Sequence, residues 1–212
     1  LFDDDRHGVW ERRPSALAMS ANRTRETHGA RVLNMAFSTD TYFSNNTEAV
    51  PLCSNSHTTT SGAGTGSGFD NLTTASLSAV SVAAARIQHV GLRGDQAERI
   101  SLMPNELWVP PDLYDIAYEI ADSQGKPDTA NNNANVHFGK YTVKEWNYMT
   151  DTNNWFLMDS GMRKQSLFWF ERIPLEFAFA EELDTILAKW RSYMRYSLGH
   201  SDWRFVLGAQ VS

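Results

Sequence analysis

Cysteine occurs once in the 212 residues, as Cys53, so an intrachain disulfide is excluded and nothing points to an oxidising compartment. No apolar run approaches the roughly 18 residues that a membrane-spanning helix needs. The N-terminal residues lack the basic start, apolar stretch and small-residue cleavage site of a secretory signal. Positive charge is also short: the net charge is -6 and the pI is about 5.5. That argues against a chain whose main work is to grip nucleic acid through a basic face. Against these absences stand 42% hydrophobic and 12% aromatic residues, enough for a sizeable core in one large domain or two small ones. The first residues, Leu1 and Phe2 followed by three aspartates, read as the interior of a longer chain with upstream residues missing or removed.

The most structured stretch is Leu102 to Ala121. Leu107-Trp108-Val109 has the composition of a buried strand, with Trp108 expected in the core. Pro110 and Pro111 stop any ladder, because proline has no N–H to donate, and Pro111 has the φ of a first helical turn. Asp112 and Asp115 favour that turn through the helix dipole. Leu113, Ile116, Ala117, Ile120 and Ala121 then repeat at helical spacing.

Upstream, Leu17, Ala21, Val32 and Met35 share a face at about 100° per residue, which predicts a long helix from Ser15 to Phe37, started by Pro14 and Ser15. Ser38 to Asn71 is dominated by Ser, Thr, Asn and Gly and reads as a long flexible connection. Leu77, Val80, Ala84 and Ile87 predict the apolar stripe of a second helix, Thr74 to Val90, ended by Gly91 and Gly94. Ser123 to Asn135 is a polar connection. Further on, Tyr141, Val143 and Trp146 and then Trp155 to Met158 read as strands. A turn is expected at Asp159 to Gly161, a buried run at Leu167 to Phe170, and alternation at Phe177 and Phe179. Leu183 to Tyr196 fits strand and helix periods equally. Gly199 to Asp202 reads as a turn, and Trp203 to Val206 as a closing strand.

Chemistry-bearing patterns are weak. Ser56-His57 is a neighbour pair in a loop, not a triad. Cys53 and His57 have metal-pair spacing, but no second pair completes four ligands. The run Gly62 to Gly68 lacks the Lys-Ser/Thr ending of a phosphate loop and reads as surface backbone. Glu181 and Glu182 are adjacent and so diverge. Asn22, Asn45 and Asn71 begin glycosylation sequons without secretory context. The expectation is therefore no catalytic residue, no cofactor site and no metal site.

The order of segments carries more information than any one of them. Ala16 to Ser20 and Thr24 to Phe37 come first. Pro51-Leu52, His57, the glycine run and Asn71-Leu72 follow, and then Leu77 to Ile87 and Leu107 to Leu113. Asn135 to Gly139, Asp151 to Leu157, Arg195 and Gly199 to Arg204 complete the set. In this order the chain resembles the tailed-phage major capsid proteins of the Hong Kong 97 type, most closely the Mu-like major head subunit branch. The resemblance implies an α+β fold with a long spine helix. Residues 1–37 would hold the spine helix and a remnant of an upstream loop in a peripheral domain, 38–159 mostly an axial domain, and 160–212 C-terminal strands returning to the peripheral domain. The N-terminal arm and extended loop of that family are missing or shortened here. The implied function is a structural shell subunit that self-assembles into pentamers and hexamers around a double-stranded DNA phage genome. Implied partners are portal, scaffold, maturation protease and decoration proteins, with packaged DNA held non-specifically and no membrane. The implied location is the virion, after assembly in the bacterial cytoplasm. An encapsulin-like compartment shares the fold, and a small hydrolase using Ser56-His57 or another pair is the reading from another class.

Overall fold

The structure, a computed structural model, describes residues 9–43, 48–58, 68–126, 133–182 and 187–212. The chain is mixed α and β and divides into two units, Leu1–Gly29 with Trp169–Gly199 and Ala30–Phe168 with His200–Ser212.

The larger unit is organised by a five-stranded sheet. Its strands are β1 (Leu72–Thr73), β2 (Glu106–Val109), β3 (Thr142–Glu145), β4 (Trp155–Met158) and β7 (Val206–Ala209), in the order β1-β7-β4-β2-β3. β1 runs parallel to β7 and β2 parallel to β3, while β4 is antiparallel to both β2 and β7. All four residues of β4 are buried, which is why that strand reads as an unbroken apolar run. Helices α2 (Ala79–Val90) and α3 (Tyr114–Asp122) supply one side of the core, where Val82, Ala85, Ala117, Ile120 and Ala121 meet Leu107, Val109, Trp155 and Leu157. At Gly208 a Cβ would lie 2.7 Å from Cys53 Sγ and 2.8 Å from Phe37, so the strand passes the loop only because that residue has no side chain.

The proline corner forms as expected: Pro111 opens a 3-10 turn, Pro111–Leu113, that leads into α3. Trp108 is different. It is half-buried, because alternation sends Leu107 and Val109 into the core and Trp108 to the opposite face, beside Glu106. There its Nε1–H donates to Glu106 Oε2 at 3.0 Å, and the Arg163 guanidinium lies 5.5 Å from its ring.

α2 also corrects an expectation. Val80 and Ile87 are 78% and 67% exposed, and the buried face carries Ser81, Val82, Ala85 and His89. Ser81 can be buried because its hydroxyl completes a capping box with Ser78 and donates to Ser76 O at 2.7 Å. The expected turn at Asp159 to Gly161 is the start of a helix, α4 (Ser160–Ser166), with Asp159 accepting from the Gly161 and Met162 N–H groups. The closing strand begins at Val206 rather than Trp203.

The Ser38–Asn71 connection is only partly the flexible linker it resembles: Leu52, Cys53, Ser54, His57, Phe69 and Asn71 are buried. Of the glycine run, only Gly68 lies within the described residues, at φ +107°.

The smaller unit holds most of α1 (Val9–Asn34), of β5 (Leu167–Glu182) and of β6 (Leu187–His200), the last two hydrogen-bonded as a two-stranded sheet. α1 starts before Ser15 and carries Pro14 inside its second turn, where the proline forfeits one backbone bond and crowds the preceding turn. The ambiguous segment near Trp190 is strand. The expected buried run at Leu167 to Phe170 is largely exposed, Phe170 at 62%. Trp169 stacks on Tyr196 at 4.5 Å, and Arg25 reaches both the Trp169 ring and Glu171.

Candidate functional site

Of the residues the sequence singled out for chemistry, Cys53, His57 and Asn71 are buried together at the edge of the five-stranded sheet, with Ser56 exposed beside them. Glu181 and Glu182 are exposed on β5, Asn22 is exposed on α1, and Asn45 lies outside the described residues. Asn71, fully buried just before β1, is the centre of the buried cluster. Its amide donates to the carbonyls of Leu52 at 2.9 Å, Val206 at 3.0 Å and Trp203 at 3.4 Å. Its Oδ1 accepts from the Ser54 N–H at 2.8 Å and faces His57 Nε2 at 3.1 Å. One side chain thus ties the Pro51–His57 segment to the C-terminal strand.

His57 is stacked on Trp203, with ring centroids 3.9 Å apart and planes 3° from parallel. Its Nδ1 faces Glu48 Oε2 at 3.1 Å, and its Nε2 faces Leu52 O at 3.2 Å as well as Asn71. Both ring nitrogens therefore point at oxygen acceptors. Glu48 also receives the Thr58 N–H. Ser56 Oγ donates to Asn55 Oδ1 at 3.0 Å, so the neighbouring Ser56 and His57 are spent on separate local bonds rather than on each other. Cys53 is packed against Gly208, and burial pushes its thiol far above the ordinary value, which disfavours the thiolate that nucleophilic or metal chemistry requires. Among the described residues no group of three or more His, Cys, Asp or Glu side chains is placed to hold a metal.

Two further polar locks lie in the larger unit, one beside Trp203 and one on β2. Arg204 donates through Nε to Arg93 O at 2.6 Å and through Nη2 to Asp95 at 2.8 Å, and its guanidinium lies 4.7 Å from the Trp203 ring. Arg163 grips Glu106 through two bonds of 2.9 and 3.1 Å. Burial would raise the Glu106 carboxyl, but Arg163, the Trp108 N–H and the Lys144 charge outweigh it and hold it below the ordinary value. His89, His137 and His200 are each lowered, first by burial. His89 Nε2 faces Arg204 O at 2.9 Å, while its Nδ1 is buried without a partner.

These geometries fasten segments together; they do not present a reactive atom to an open cleft. The locking roles of Asn71, Glu48 and Arg204 were not anticipated, because their partners lie far along the chain or in loops with no local pattern. Comparison with known families decides what such a scaffold serves: the sequence profile described as phage capsid protein matches residues 1–209. The chain belongs to the phage capsid protein family. A comparison with curated proteins found no match. This bacteriophage capsid protein is accordingly a structural component of the virion, from a family that is structural rather than enzymatic. No described helix is long and apolar enough to cross a membrane.

Proposed function

We propose that this capsid protein is the repeated subunit of a closed icosahedral shell around a double-stranded DNA phage genome, of the Hong Kong 97 type and nearest the Mu-like major head subunits. The observation that carries the reading is the family match across 1–209. The 26-residue α1 supports the role of spine helix. In this reading 1–37 and 160–212 are peripheral and 38–159 mostly axial. The grouping of α1 as far as Gly29 with Trp169–Gly199 supports the peripheral part. β7, bonded between β1 and β4, carries the chain end into the other unit.

A shell subunit needs rigid surfaces repeated around symmetry axes rather than a catalytic group. The polar locks at Asn71, Arg204 and Glu106 supply rigidity within the larger unit. The net charge of -6 suits a wall that encloses DNA without clamping it. Assembly proceeds in the bacterial cytoplasm with self-contacts in pentamers and hexamers, and with portal, scaffold, maturation protease and decoration proteins as partners. The test is the content of the particles. Nuclease-resistant double-stranded DNA inside purified particles is the expected result; particles filled with a protein cargo would replace this reading with an encapsulin-like compartment.

A further inference from the structure

The sheet formed by β5 and β6 is built as though part of it were absent. Four residues separate the two strands, too few for the crossover of a parallel pair. The contacts Trp169–Tyr196 near one end and Phe179–Trp190 near the other agree with an antiparallel ribbon. At about 3.3 Å per residue, the 16 residues of β5 extend roughly 50 Å. Not one of them is buried. Phe177, Phe179 and Tyr193 are 50%, 45% and 47% exposed. α1 lies against the ribbon through Arg25 on Trp169 and His28 on Tyr196, but among the described residues no third strand joins it, and a two-stranded ribbon by itself is marginal in water. Among the described residues nothing pairs with the outer edge of either strand, so each presents backbone donors and acceptors, a template for further pairing.

Charge on the two strands identifies what completes the ribbon. β5 carries Glu171, Glu176, Glu181 and Glu182 against Arg172 alone, whereas β6 carries Lys189, Arg191 and Arg195 and no acid. Within the subunit, Glu171 pairs with Arg25 and Glu182 with Lys189. Two β5 edges brought together would set acid against acid, and two β6 edges base against base; both are unfavourable. A β5 edge beside a β6 edge is the complementary arrangement. Glu176 and Glu181 stand toward the end of β5 nearest the connection, and Arg191 stands near the same end of β6, so hairpins side by side in one orientation bring them level. Pro174 has no N–H and interrupts the edge of β5, as proline does in edge strands, which confines the seam to Leu175–Glu182.

We propose that a second copy of this chain completes the ribbon, the outer edge of β5 in one subunit pairing antiparallel with the outer edge of β6 in the next. The contact is heterologous, joining different surfaces on the two subunits, and so propagates from copy to copy around a ring. It rests on the shell reading and names the surface through which copies join.

Two full-length variants, Ala178→Cys and Tyr193→Cys, test it in particles assembled from an equal mixture and treated with a short bismaleimide. Buried Cys53 serves as the unreactive background. The expected result is a 178-to-193 linked dimer at least tenfold more abundant than any dimer from either variant alone. Amides of 175–182 should exchange slowly in particles and rapidly in isolated subunits. Particles that give no 178-to-193 dimer, or mainly 178-to-178 dimers, overturn the proposal and leave the shell reading standing. Protection of 175–182 that vanishes when nuclease removes DNA also overturns it, because packaged DNA rather than a second subunit would then be what orders the ribbon. If the full-length wild-type chain forms no particles with its scaffold, the shell reading falls and takes the proposal with it.

Discussion

Replacing Asn71 with alanine should be among the most damaging single changes to the larger unit, although Asn71 sits in what reads as loop. The substitution removes four hydrogen bonds of 3.1 Å or shorter, to Leu52 O, Val206 O, the Ser54 N–H and His57 Nε2. Each such bond contributes about 0.5–1.5 kcal/mol net, and a buried donor left unsatisfied costs about 1–3 kcal/mol. Leu52 O and His57 Nε2 still face each other at 3.2 Å, so the sharpest loss falls on the Ser54 N–H. The total is about 3–5 kcal/mol, a large fraction of the roughly 5–15 kcal/mol that holds a domain folded. At about 2–4 °C per kcal/mol, the midpoint should fall on the order of 10 °C. Asn71→Asp keeps the acceptors, loses the donors to the two carbonyls and buries a charge, and should be as harmful. Urea unfolding of the isolated full-length subunit, followed by tryptophan emission, measures both variants. A loss below about 1 kcal/mol for Asn71→Ala would refute the claim that this side chain locks the Pro51–His57 segment to β7.

Three further outcomes follow from the same structure. His89, His137 and His200 are lowered by burial from an ordinary value of 6.5, so the unfolded chain binds protons first as pH falls. Stability should be level above about pH 6.5 and decline below it; urea midpoints from pH 8 to 5 check this, and a flat profile would contradict it. Leu107→Ala, at a fully buried position, should cost about 2–5 kcal/mol, whereas half-buried Trp108→Ala should cost less, which paired unfolding curves would show. Cys53 should react with a thiol reagent only at the rate of unfolding, and rapid labelling of native subunits would place it elsewhere.

What was legible in the sequence followed from unambiguous local physics. Trp155 to Met158 is apolar throughout and is the fully buried central strand. Two prolines fixed the corner before α3, and Ala117, Ile120 and Ala121 face the core, whereas Ile116 of the same expected stripe is 42% exposed. The misreadings have a common origin, the assumption that apolar side chains are inside and polar ones outside. In α2 the stripe of Val80, Ala84 and Ile87 is as apolar as the buried one, and periodicity cannot know that Ser81 and His89 find partners in the interior. Leu167 to Phe170 has core composition, yet much of it is exposed in a ribbon whose complement lies outside the subunit in our proposal. Asp159 looked like a turn residue because a cap and a turn call for the same side chain. The lock at Asn71 depends on Leu52, Trp203 and Val206, which lie up to 135 positions away, and no window along the chain contains them together.

The central claim is that this capsid protein closes into shells. Electron microscopy of the full-length chain, purified after co-expression with its scaffold and maturation protease, tests it most directly. Uniform closed particles of megadalton mass are the expected result. A stable monomer under those conditions, with no particles in the field, would contradict the account.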